Sequence, residues 1–302
     1  MTAYAMGIDF GSTTAKVVIL DQDGAVVASA ISQKGAVSDE GVRVALEEAL
    51  GQAGIGQGAI GRVVSTGYGR RMLDIADRTM TEITCHARGA VALVPETRVV
   101  IDIGGQDSKV IAIDPNGLVA RFAMNDRCAA GTGKFLEVLA RAVNVELERM
   151  GSVALEATET VSITSMCATF AETEVISLLA EGHSKQVVLA AVHHSIANRT
   201  VGLVARVGKR DPVVMTGGVA QNVAAVHFLE QALGTQLVIP KGAQIAGALG
   251  AALFALDDLR AEQSGAGTNT SSGDEELDPS LAEPPSCTPA CSKKATPIVF
   301  KT

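Results

Sequence analysis

Two stretches of this chain deliver a carboxylate straight into a turn of small residues. DFGSTTAK carries Asp9, Gly11, Ser12, Thr13 and Lys16; DIGGQDSK carries Asp102, Gly104, Gly105, Gln106, Ser108 and Lys109. Backbone N–H groups and hydroxyls in such turns can face phosphate oxygens, and the acid can hold Mg²⁺ directly or through water. Neither stretch has the glycine spacing of a Walker loop or of a dinucleotide fingerprint. Either turn alone reads equally well as an ordinary β-hairpin, because Gly/Asp turns are common. A third stretch, TGGVAQN with Gly217 and Gly218, tilts the balance toward a nucleotide site.

The second chemistry is sulfur. Of five cysteines, Cys128 in NDRCAAGTGKFLEVLA and Cys167 in SMCATFAETEVISLLAEG each stand just before a helical pattern, among small or polar residues. Thiolates at helix N-termini are stabilised by the dipole and by free N–H groups. One such cysteine reads as a small buried hydrophobe; two in matching positions point to a shared role. Two sulfurs leave a four-thiolate metal or Fe–S site half filled. A symmetric dimer supplies the missing pair if both cysteines lie at its two-fold axis, so that one [4Fe–4S] cluster bridges two chains.

Other residues read more plainly. Lys16 and Lys109, taken as residues, read as solvated lysines. Cys85 and His86 are adjacent, a poor arrangement for one metal, and pack beneath a helix. His183, His193 and His194 read as surface or capping residues. Glu172 and Glu174 suit a helix N-terminus by charge. Cys287 and Cys291 read as inert thiols in a flexible tail.

The elements that must position these groups follow from periodicity. Residues 4–20 and 98–114 both read as strand, Gly turn, strand, an internal echo that predicts two domains of related topology. Helical spacing covers 38–54, with Ser38 as N-cap, then roughly 131–149, 170–181, 185–206 and 242–259; strands are expected at 62–69 and 236–240, and 211–222 reads as a buried strand into a Gly turn with a helix after it. The division expected is 1–95 and 96–260, the last helix packing back on the first domain, followed by a Ser/Pro/Gly-rich disordered tail over 262–302. Hydrophobic residues make up 47% but aromatics only 3%, with 31 glycines, which suits an α/β protein. A net charge of -8 without basic runs argues against nucleic acid. The N-terminus lacks a basic leader and no uninterrupted apolar run reaches transmembrane length, so the expected setting is the cytoplasm, with reduced thiols.

Together DFGSTTAK, DIGGQDSK and TGGVAQN resemble the phosphate and adenosine motifs of the ATPase superfamily that includes sugar kinases, Hsp70 chaperones and actin. That resemblance implies an α/β fold of two ribonuclease H-like domains closing on ATP·Mg²⁺. Asp9 and Asp102 would lie near Mg²⁺ and its waters. Gly11, Ser12, Thr13, Gly104, Gly105 and Ser108 would line the phosphates, Gly217 and Gly218 would approach the adenosine, Lys16 and Lys109 would be phosphate partners, and Gln106 or Asp107 would orient the attacking water. With EITCHARGA, NDRCAAGTGKFLEVLA and CATFAETEVISLLAEG added, the chain resembles the activators of 2-hydroxyacyl-CoA dehydratases and the ATPase subunits of benzoyl-CoA reductases. This implies a [4Fe–4S] cluster held by Cys128 and Cys167 of each of two subunits, in a homodimer or a heterodimer with a related chain. It further implies ATP-driven delivery of a low-potential electron from ferredoxin or flavodoxin to an acyl-CoA dehydratase or reductase. The rivals are a small-metabolite kinase without a cluster and a chaperone-like nucleotide switch.

Overall fold

The computed structural model describes residues 3–33, 40–125, 128–164 and 168–264. Ser38, Cys167, Cys287, Cys291 and the tail beyond residue 264 lie outside the described residues. Among the described residues the chain divides into two compact units: 3–33, 40–97, 113–120 and 240–264 form one, and 98–112 with 121–239 form the other.

In the first unit, β1 (Tyr4–Phe10), β2 (Ala15–Leu20), β3 (Val26–Ser32), β4 (Ile60–Thr66) and β5 (Arg78–Thr79) make a sheet of order β3-β2-β1-β4-β5. β1 pairs antiparallel with β2 and parallel with β4. A strand covered on both faces must be apolar on both, which is why YAMGIDF reads as a run rather than an alternation. Helix α1 (Glu40–Ala53) buries Val42, Ala45 and Ala49 at helical spacing, in one core cluster with Met6, Ile8, Phe10, Val17 and Ile19. Helix α2 (Glu82–Leu93), capped by the Thr81 hydroxyl accepting from the Thr84 N–H, packs on helix α8 (Ala246–Gln263), which covers the other face.

The second unit repeats the plan. β6 (Val99–Ile103), β7 (Ser108–Ile113), β8 (Val119–Asn125), β9 (Val213–Thr216) and β10 (Leu237–Val238) lie in the order β10-β9-β6-β7-β8, the same order counted from the central strand. β6 again pairs antiparallel with its hairpin partner and parallel with the later strand β9. Its helices are α3 (Gly133–Val143), α4 (Met150–Leu155), α5 (Ala168–Ala180), α6 (Lys185–Val207) and α7 (Val223–Leu233). The helix expected over 131–149 is thus shorter: Asn144 takes a left-handed φ of 51° and stops it. By length and composition α6, with mean hydropathy 1.2, could cross a membrane. Most of it is buried inside the unit, as in a core helix that meets the same criterion, and His193, His194, Asn198 and Arg199 interrupt its apolar run.

Helix α8 (Ala246–Gln263) belongs to the first unit and packs on β1 and α2. The approach is close because small residues face each other. A Cβ on Gly89 would overlap the Ala246 carbonyl, and one on Gly250 would overlap the carbonyl of Cys85.

Candidate functional site: two carboxylate turns and a cysteine loop

Asp9 and Asp102 are each the penultimate residue of the central strand of their sheet. Across the hairpin, Asp9 is in register with Lys16 and Asp102 with Lys109, so the alternation of the pleat puts each lysine on the carboxylate's face. Lys16 Nζ lies 3.0 Å from Asp9 Oδ2. Lys109 Nζ lies 3.5 Å from Asp102 Oδ2 and 2.7 Å from Asp107 Oδ2. Both carboxylates are 2% exposed, as is Lys109, while Lys16 is 16% exposed. The reading of these lysines as solvated is therefore corrected: hairpin register draws both inward, where a buried acid requires a counter-charge.

The turns themselves are built alike. The Gly11 N–H donates to the Thr14 carbonyl and the Gly104 N–H to the Asp107 carbonyl, both at 3.0 Å. Gly11, Ser12 and Thr13 are half-buried, Gly104 and Gly105 likewise, and Gln106 at the second tip is exposed. Ser108 is buried, and its hydroxyl donates to the Gly131 carbonyl at 3.5 Å.

The parallel neighbour repeats as well. Asp9 is in register with Thr66 and Asp102 with Thr216, and each threonine is followed by a glycine at positive φ, 91° at Gly67 and 86° at Gly217. A Cβ on Gly67 would meet the Phe10 carbonyl at 2.6 Å, and one on Gly217 would overlap the carbonyl of Ile103, the position equivalent to Phe10. The Thr216 hydroxyl donates to Asp102 Oδ1 at 2.8 Å. Gly217 is buried and Gly218, opening a 3-10 turn, is exposed. Periodicity alone places Thr66 and Gly67 only at the end of a strand. Their signal is the TG following an apolar strand in both halves, STGYG and MTGGV.

These contacts constrain how Mg²⁺ would be held. With one oxygen of Asp102 on the Thr216 hydroxyl and the other facing Lys109, that carboxylate fits an acceptor for metal-bound water better than a direct ligand. Around Asp9, a methyl on Gly247 of α8 would lie 3.0 Å from Asp9 Oδ2 and 2.8 Å from His86 Nε2 at once. His86, buried on α2, therefore flanks the same backbone atom as the carboxylate, a neighbour that adjacency to Cys85 in sequence does not suggest. Burial pushes the Cys85 thiol up to about 12, so that cysteine is an inert thiol of the core.

Cys128 is half-exposed on the loop between β8 and α3, and its carbonyl accepts from Asn125 Nδ2 at 3.0 Å. It does not begin a helix: α3 starts at Gly133. The Gly133 and Lys134 N–H groups donate to the carbonyls of Gly104 at 2.9 Å and Gly105 at 2.7 Å. Those first-turn amides thus bind the second carboxylate turn rather than the sulfur, which corrects the expectation that they face Cys128. The charged donor at the sulfur is instead Arg199 of α6, with Nη2 3.7 Å from Sγ. Among the described residues no three Cys, His, Asp or Glu side chains converge as a metal site. A cluster at Cys128 accordingly fits only if other thiols, from Cys167 and a second chain, complete it.

The histidines divide. His193, read from the sequence as a surface or capping residue, is fully buried on α6, its Nδ1 2.7 Å from the Leu189 carbonyl. Burial lowers it from 6.5 to about 4. His183 and His194 are half-buried. Glu174 accepts from the Thr164 N–H at 2.9 Å, tying α5 to the segment before it.

Two like sheets, each with a carboxylate and glycine turn on its central strand, define an ATPase of the actin, Hsp70 and sugar-kinase fold. A glucokinase of the ROK family from Streptomyces griseus shares that fold, with TM-score 0.53 at 11% identity over 83% of this chain and 99% of the other. The chain belongs to the BadF/BadG/BcrA/BcrD ATPase family, whose model matches residues 6–255. It is 44% identical to the 2-hydroxyisocaproyl-CoA dehydratase activator of Clostridioides difficile over 86% of this chain and 97% of that one. The structure of that activator with bound ADPNP matches with TM-score 0.84, covering 87% of this chain and 97% of the other. The (R)-2-hydroxyglutaryl-CoA dehydratase component A of Acidaminococcus fermentans matches with TM-score 0.82 at 42% identity, over 86% and 100%. A benzoyl-CoA reductase chain of Thauera aromatica is 33% identical over 82% of this chain and 91% of its own.

Proposed function

We propose that this ATPase is the activator of an acyl-CoA dehydratase, delivering single low-potential electrons from a ferredoxin or flavodoxin in the cytoplasm. Two copies would share one [4Fe–4S] cluster through Cys128 and Cys167 of each. When bound, that cluster supplies a one-electron store, filled as the donor is oxidised and emptied as the acceptor is reduced. The acyl-CoA binds the acceptor rather than this chain.

The observation that supports the reading is the pair of hydrogen bonds donated by the Gly133 and Lys134 N–H groups to the carbonyls of Gly104 and Gly105. They tie the N-terminus of α3, which directly follows the cysteine loop, to the second carboxylate turn, a physical route by which a shift of that turn would reach Cys128. In this reading Asp9 and Asp102 hold Mg²⁺ and its waters. The glycine turns at Gly11, Gly104 and Gly105, with Ser12, Thr13 and Ser108, line the phosphates. Gly217 and Gly218 admit the adenosine, and Gln106 orients the attacking water. Lys16 and Lys109 hold the carboxylates in place and balance their charge. The names of the curated relatives at 44% identity support an acyl-CoA dehydratase as acceptor over a reductase.

Anaerobic purification tests the reading: a brown dimer with about four irons per two chains is expected. Cys128→Ser and Cys167→Ser should each lose colour and iron. A colourless protein whose ATP turnover requires an acceptor alcohol would establish the kinase alternative instead.

A further inference from the structure

We propose that Arg199 is the positioning residue for the Cys128 sulfur, holding it in place and supplying the positive charge that an anionic cluster ligand needs. This rests on the cluster reading above and adds to it a residue 71 positions further along the chain. Three observations converge. Arg199 Nη2 lies 3.7 Å from Cys128 Sγ, hydrogen-bonding distance for sulfur. The stem of the same side chain lies across the loop: a Cβ on Gly131 would meet Arg199 Cδ at 3.4 Å and Nε at 3.8 Å. The amides that would otherwise serve a sulfur before a helix are engaged elsewhere, on Gly104 and Gly105.

The setting favours this role. Arg199 is half-buried and lines a cavity of about 320 Å³ together with Ser108, Asn125, Gly131, Thr200 and Arg206. A guanidinium in such a partly enclosed place interacts with an anion more strongly than one in open water. Its donors are set in a rigid plane, so one can bond the sulfur while the stem packs on the loop backbone. Hydrogen bonds to cluster sulfurs and nearby charge are among the determinants of iron–sulfur reduction potential. A cation beside the ligand favours the more negative, reduced state, so its removal makes reduction harder. Partners of this kind behind a ligand also affect retention of the metal, typically by ~10–100-fold.

The test compares wild type, Arg199→Lys and Arg199→Gln, purified anaerobically as full chains. Iron per chain, the cluster's midpoint potential by redox titration with paramagnetic resonance, and thermal unfolding are measured on each. Arg199→Lys should keep iron and potential near wild type, because it retains the charge. Arg199→Gln, still folded, should lose iron or show a reduction equilibrium weakened about tenfold, which is 59 mV for one electron. Arg199→Gln equal to wild type in both iron and potential overturns the proposal, as does Arg199→Lys falling as far as Arg199→Gln, which would mark a purely steric role. Wild-type protein without iron overturns the cluster reading itself, and the role of Arg199 with it.

Discussion

Replacing Lys109 by Met removes the cation from a site closed to solvent. Lys109 is 2% exposed and stands between Asp102, also 2% exposed, and Asp107, 22% exposed. Methionine keeps most of the volume, so the cavity contribution is small and the loss is electrostatic. Removing one partner of a buried ion pair costs ~3–5 kcal/mol, because the other charge is left uncompensated. The Thr216 hydroxyl still donates to Asp102 at 2.8 Å, which places the expected loss near the lower end, ~3 kcal/mol. For a chain of this size that corresponds to roughly 5 °C in unfolding temperature. Lys16→Met, at the equivalent but more solvated position, should cost clearly less. With no Trp in the chain, urea unfolding of the nucleotide-free protein is best followed by circular dichroism, with the slope unchanged. Adding Asp102→Asn to Lys109→Met should restore part of the loss, since the stranded charge disappears and the two effects are coupled. A Lys109→Met protein as stable as wild type, or no recovery with Asp102→Asn, would refute the claim that a buried counter-charge holds this turn together.

His193 supplies a pH dependence. Its folded value of about 4 lies below the ordinary 6.5, so its contribution to stability is complete above 6.5 and is lost as pH falls toward 4, up to about 3 kcal/mol. His193→Gln should flatten that limb of a stability–pH curve measured by urea unfolding. Gly217→Ala forces a side chain onto φ 86°, ψ 175° and into the Ile103 carbonyl, so a loss of at least ~3 kcal/mol together with weakened ATP binding is expected by denaturation and calorimetry. Gly67→Ala, its counterpart in the first unit, should behave alike. In native protein Cys85, with its thiol pushed up to about 12, should resist alkylation while half-exposed Cys128 of the cluster-free chain reacts, as read by peptide mass spectrometry.

Much of the scaffold is legible because its signals are local. The apolar run YAMGIDF, the Asp into a Gly turn and the returning strand AKVVIL need only short-range geometry, and their second copy at 98–113 makes the duplication visible. Helix α6, expected over 185–206, is found at Lys185–Val207, since Ser184 caps it and Gly208 ends it. Helix α3 is shorter than its apolar spacing suggests, because that pattern continues past Asn144 while the helical backbone does not.

By itself, then, the sequence determined which residues could meet phosphate and sulfur, and the order in which the chain offers them. Residue type and spacing suffice for that, since a turn or a helix is closed by neighbours in the chain. Only the tertiary structure decided what those residues touch: the lysines facing the carboxylates, the Thr66–Gly67 pair repeating Thr216–Gly217, His86 beside Asp9, the α3 amides on Gly104 and Gly105, and Arg199 on Cys128. Arg199 is distant in sequence from Cys128, and no local pattern encodes such a pair. What brings it there is the packing of α6 in the second unit, and burial of that helix's apolar residues leaves its arginine facing the sulfur.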